Sequence, residues 1–164
     1  MNDAHLRVYM NDHIAGAVVA LTLIRRCAGS NMGTPLGAFL VELTQEIEED
    51  LETLRGLHRR VGGVENPVKK AGAWAAVKMG GLKLNNELTR YSDLSRLEEL
   101  EGLLIGVRGK MALWDSLAAA ADDRFADVDF QALRERAQRQ HDRLDAFHRD
   151  AARVALAPLG ERPA

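Results

Sequence analysis

The sequence predicts an all-α protein, a four-helix bundle with a helical crossover segment between the second and third bundle helices. Three observations carry this. Ala and Leu dominate the apolar residues and Glu and Arg the charged ones, all strong helix formers, while β-branched residues are few. Only four prolines occur, and two of them, Pro35 and Pro67, stand where a proline opens a helix instead of breaking one. Apolar positions recur at three- and four-residue spacing through four segments of roughly 22 to 27 residues.

The elements follow in order along the 164 residues. The first helix is expected from Asp3 to about Ala28, where GSNMGTP ends it. The second takes Thr34 as N-cap and Pro35 as its first residue, and runs to Arg60 before Gly62-Gly63. Asn66 and Pro67 repeat that signal and open a shorter helix, Val68 to about Leu88, interrupted by Gly80-Gly81. With its flanks, about 66–92, this segment is the expected crossover. Ser95 and Glu98 read as a capping box for the fourth helix, which runs to about Ala121. DDRFADVD is a loop with Asp129 as the next cap, and the fifth helix spans Phe130 to about Leu156. The tail, about 158–164, is expected to be disordered. The whole chain reads as a single helical-bundle domain.

Composition excludes some functions. A net charge of −2 gives no basic field for nucleic acid. No run approaches the ~20 apolar residues of a membrane span, and the first residues do not form a signal peptide. The single cysteine, Cys27, fits a reducing compartment, so a cytoplasmic location is expected.

Helical phasing assigns the inner faces at about 100° per residue. On the second helix the stripe is Leu36, Phe39, Leu40, Leu43, Ile47, Leu51, Leu54 and Val61. Most acids of ELTQEIEEDLETL fall off it, but Asp50 and His58 lie inside and Glu46 at the edge. The fourth helix turns Leu97, Leu100, Leu104, Val107, Met111, Trp114 and Ala118 inward, with Glu101, Arg108 and Asp115 in the same sector. On the fifth the stripe is Phe130, Leu133, Ala137, Leu144, Phe147, Ala151 and Val154, with Gln140, His141 and His148 at its edges. The first helix carries Leu6, Met10, Ile14, Ala17, Val18, Leu21 and Ile24.

Asp50, Arg108 and His141 each fall near the middle of their helix, at one depth in an up-down bundle. They are expected to meet as a central polar cluster, with Glu101 and Asp115 completing its charge balance, because a buried ion needs a partner. A metal site on Glu46, Asp50 and His141 is the alternative, although hard-ligand sites use more carboxylates than these. The first helix has a second apolar strip that includes Tyr9, Val19 and Leu23. Its expected cover is the crossover or a second copy of the chain, hence a homodimer or a protein partner.

EIEEDLETL, AAVKMGGL and GVRGKMALW resemble segments of the ferritin-like superfamily, and more narrowly of its YciE/YciF-type bacterial stress-protein branch. The resemblance implies a ferritin-like bundle and a stress-related or general interaction role. It also defines a departure. The superfamily's di-metal site uses a Glu on each of two helices and a Glu-x-x-His on each of the other two. No Glu-x-x-His occurs here, and Arg108 falls where the resemblance places an inward glutamate. An arginine cannot ligate a cation. The expectation is therefore a non-enzymatic protein with no cofactor, in which Arg108 replaces the charge of a metal. The alternatives are a protein holding iron or another divalent metal with an atypical ligand set, and an adaptor binding a partner through the first helix.

Overall fold

The computed structural model describes residues 2–64 and 91–158. Four helices lie within them: α1 (Asp3–Ser30), α2 (Pro35–Arg60), α3 (Asp93–Ala120) and α4 (Phe130–Ala155), with a single 3-10 turn (Asp123–Phe125) before α4. The expected helix Val68 to Leu88, nearly all of the 66–92 crossover, and the tail beyond 158 lie outside the described residues.

Each helix starts at a side-chain cap that satisfies an otherwise unpaired backbone N–H. Asn2 accepts from His5, Thr34 from Gly37, Ser92 from Ser95 and Asp129 from Ala132. Thr34 and Asp129 cap where the sequence places them. The third cap differs: Ser92, not Ser95, opens the helix, which puts Asp93 in its first turn, where the helix dipole favours a carboxylate. Both serines sit three residues ahead of a polar partner, so spacing alone does not choose between them. Gly37 lets the start of α2 lie directly on the backbone carbonyl of Asn31, because a Cβ there would overlap that oxygen.

Side-chain contacts fix the helix directions. Arg7 of α1 donates to the Val61 carbonyl at the far end of α2, and Arg25 meets Glu48, so α1 and α2 are antiparallel. Tyr9 meets Ser116, and Leu23 faces Gly102, so α1 and α3 are antiparallel too. Glu42 with Arg143 and Asp50 with Arg136 set α2 against α4, and Glu101 with His148 and Asp115 with Arg134 set α3 against α4. The four helices run up, down, down, up. Val61 and Ser92 consequently stand at opposite ends of the bundle.

The core is continuous and draws residues from all four helices. Every stripe residue expected on α2 is buried, together with Asp50, Leu57 and His58. His58 is thus a core residue packed beneath Gly63, not a flank residue reaching solvent. On α3 the buried face is turned from the expected one. Leu103, Leu113 and Leu117 join Leu100, Val107, Met111 and Trp114 inside, while Ala118, Glu101, Arg108 and Asp115 are exposed. Leu103, Leu104 and Ile105 put apolar residues on three sides of this helix, so periodicity sets its phase weakly. The second strip of α1 is partly used by α3: Tyr9, Ala20 and Leu23 face it, and Cys27 is fully buried.

Candidate functional site

Asp50 is 3% exposed and lies in the middle of α2. Its carboxylate is held by two cations from two other helices. Lys110 of α3 donates from Nζ to Oδ2 at 2.5 Å, and Arg136 of α4 donates from its guanidinium to Oδ1. The Lys110 ammonium also donates to Gln140 Oε1 at 2.5 Å. Gln140 in turn donates from Nε2 to Glu46 at 2.7 Å, and Arg136 reaches Glu49 at 2.8 Å. The network thus ties α2, α3 and α4 together at mid-height. Burial pushes the Lys110 ammonium below the ordinary lysine value, against the pull of Asp50, and the nearby Arg136 charge adds to the downward push.

This is not the cluster the sequence predicts. Arg108 is exposed, two residues before the lysine that takes its place. Glu101 is exposed and meets His148 Nε2 at 3.3 Å, and Asp115 is exposed and meets Arg134 at 3.2 Å. The ring of His141 is partly buried, with Nδ1 3.6 Å from Asp142 of its own helix. Of the five residues expected together, the structure puts only Asp50 at the centre. Depth along the bundle was readable, because Lys110 and Gln140 lie at the level of Arg108 and His141. Rotation was not, because the face of α3 is turned. The missed signal was the seven-residue spacing of Leu103, Lys110 and Leu117, which places the lysine in an apolar row.

Both oxygens of Asp50 are taken by cations, and Glu46 reaches Asp50 only through Gln140. Two fixed positive charges repel a divalent ion from the one carboxylate they share. Among the described residues no group of three or more His, Cys, Asp or Glu side chains is placed to hold a metal ion. Glu46, Asp50 and His141 do not form such a group.

A cavity of about 480 Å³ opens beside the ion cluster, between α1, α2 and α3. Tyr9, His13 and Gly16 of α1 form one wall, Gly106 and Gly109 of α3 the other, and Ile47, Leu51 and Leu54 of α2 the floor. Asp12, Asp50 and Lys110 are its charged lining, and Tyr9, His13 and Trp114 are partly polar. The volume lies within the range of small-molecule sites, and a lining of this kind, mostly apolar with a few polar groups, is typical of them.

A second polar cluster closes the other end of the α1–α3 seam. Asn31 is buried and donates from Nδ2 to the Cys27 carbonyl and to Tyr91 Oη, both at 2.8 Å, while Arg96 donates to Asn31 Oδ1 at 2.9 Å. Arg26 meets the buried Glu99 at 2.6 Å. Burial pushes the Cys27 thiol up to about 12, so it stays protonated and is no nucleophile.

No protein-family model matches the chain, and no curated protein or solved structure matches it. Among the described residues no helix is long and apolar enough to cross a membrane.

Proposed function

We propose that this chain is a non-enzymatic binding module built on a ferritin-like bundle, in which side-chain cations occupy the centre where metal-bearing members of that superfamily hold their ions. One observation carries the reading: the central carboxylate, Asp50, is neutralised by Lys110 from α3 and Arg136 from α4. The up-down-down-up order supports the ferritin-like arrangement. The sequence expected Arg108 in this part; the role passes to Lys110 and Arg136. The single cysteine supports a cytoplasmic location. The stress-related role rests on the resemblance alone. A homodimer through Tyr9, Val19 and Leu23 has less support, because all three are half-buried and Tyr9 and Leu23 already meet α3.

Elemental analysis of the purified protein tests this. Only trace iron, manganese and zinc are expected, with no change on Asp50→Ala. A stoichiometric metal that Asp50→Ala removes overturns the reading.

A further inference from the structure

The chain outside the described residues, 65–90, starts and ends beside α1. At the end of α2, the Val61 carbonyl accepts from Arg7, near the start of α1, at 3.1 Å. Just before α3, Tyr91 Oη accepts from Asn31 at 2.8 Å and lies 3.7 Å from Cys27 Sγ, at the end of α1. The first anchor stands on the flank of α1 that meets α2, the second on the flank that meets α3. A direct path between them therefore crosses α1 along its length. The 26 residues 65–90 suffice for one such pass. As a helix they reach about 39 Å, against about 42 Å for the 28 residues of α1.

Part of α1 is buried on a side where no described helix stands. α2 meets α1 on the flank of Arg7 and Arg25, and α3 meets it on the flank of Tyr9 and Leu23. Val8, Ala15 and Val19 share a third sector, between those flanks and turned away from the core. Ala15 lies nine residues before Ile24, or two and a half turns, and so on the opposite side of the helix. Ile24 is 0% exposed because it points into the core, yet Ala15 is only 4% exposed. Val8, in the same sector near the helix start, is 51% exposed. The burial is thus local to the middle of α1, on the line between the two anchors.

We propose that residues 65–90 dock along this outer face of α1, crossing Ala15 and Val19 between the end of α2 and the start of α3. The segment's own composition suits it to the task. Trp74, Val77, Met79, Leu82 and Leu84 give it apolar surface to bury. It carries Lys69, Lys70, Lys78, Lys83 and Arg90 against Glu65 and Glu87, a net +3, so in a chain of net −2 the remainder carries −5. A basic segment laid on an acidic bundle is attracted to it, whereas a second copy on this face would bring two acidic bundles together. The inference does not rest on the reading of Asp50, which faces α3 and α4 across the core.

Limited trypsin digestion of the full chain tests this, because Lys69, Lys70, Lys78 and Lys83 are cleavage sites within the segment. Ala15→Glu puts a larger, charged side chain at the covered position. It should speed cleavage at these lysines at least tenfold, while circular dichroism shows the helices intact. A second measurement uses fluorescence. The chain has two tryptophans, so Trp114→Phe leaves Trp74 as the single reporter. Its quenching by acrylamide should be at least threefold weaker in the folded chain than in urea, unchanged on tenfold dilution, and stronger once Ala15→Glu is added. Three results overturn the proposal: equal cleavage rates in wild type and folded Ala15→Glu, Trp74 quenched as freely in the folded chain as in urea, or protection that fades on dilution as light scattering shows a dimer dissociating. The last would assign the face to a second copy of the chain.

Discussion

Gly37 is the residue at which one added carbon meets the least forgiving neighbour. Its Cβ would overlap the carbonyl of Asn31, a backbone atom, and Asn31 is itself held by Cys27, Tyr91 and Arg96. Neither side can yield cheaply. Gly37→Ala should cost about 1–3 kcal/mol in urea denaturation, the range of overpacked positions. Gly16→Ala is the internal control: it lies mid-helix in open space, and should gain up to about 1 kcal/mol from the lost backbone freedom of glycine. Cys27 makes a pH prediction. Its folded value is raised, to about 12, above the ordinary 9.0, so the native state holds this proton more tightly than the unfolded chain. That contribution to stability is whole below pH 9 and is lost as the pH rises toward 12. Tyr91, also raised by burial, acts in the same direction, whereas the depressed Lys110 makes stability rise with pH below its ordinary 10.5. Cys27→Ala should therefore flatten the alkaline decline in stability, read from urea midpoints at successive pH values between 9 and 11. An unchanged slope would remove the buried thiol as a cause.

Elements differ in how much of their placement the sequence carried. α2 has a single apolar stripe flanked by acids, so its phase, its Thr34 cap and the burial of Asp50 were all legible. α3 has Leu or Ile on three sides, and its face is settled by packing against α1 and α4, which no local pattern encodes. The central cluster failed for that reason: an error in the phase of α3 exchanges Arg108 for Lys110. Arg136 was missed differently. It belongs to a helix rich in arginines that mostly reach solvent, and only the approach of α2 distinguishes it. Longer-range ties also stay hidden, and Arg124 is one. Its guanidinium spans Asp122 of its own turn and Asp3 at the start of α1, with bonds of 2.6 to 3.2 Å. Hydrogen bonds from Arg124 hold the Asp122 carboxyl down to about 2 and lower Asp3 as well. These depressed values support the fold above the ordinary 3.8, and the support is lost as the pH falls below it. Arg124→Ala should speed amide exchange in the first turn of α1 at pH 6, with little change in α2, and the difference from wild type should shrink below pH 3. Uniform acceleration across all helices would show a global effect instead of a local tie.

At the scale of the whole molecule, the seams between helices are unequal. α3 meets α4 and α1 meets α2 largely through the apolar core, whereas α2 meets α4 through a polar ladder of Glu42–Arg143, Glu46–Gln140 and Glu49–Arg136, with Phe39 stacked on Phe147 at one end. The buried end of that ladder is the Asp50 cluster. A buried ion pair is costly to desolvate, and replacing one with apolar residues of similar volume is often neutral or stabilising by about 1–4 kcal/mol, while removing one partner costs about 3–5 kcal/mol. The two substitutions therefore have opposite expected signs. Asp50→Ala alone strands Lys110 and Arg136 without their carboxylate and should lower the free energy of unfolding by about 3–5 kcal/mol. Asp50→Leu combined with Lys110→Met and Arg136→Leu removes the charges together; Gln140 keeps its bond to Glu46, and stability should equal or exceed that of the wild type. Stability held in the triple variant would show that the charges are not what holds the fold together. Stability lost in the triple variant as in Asp50→Ala would assign the cluster to the fold, as the element that fixes how α3 is turned against α2 and α4.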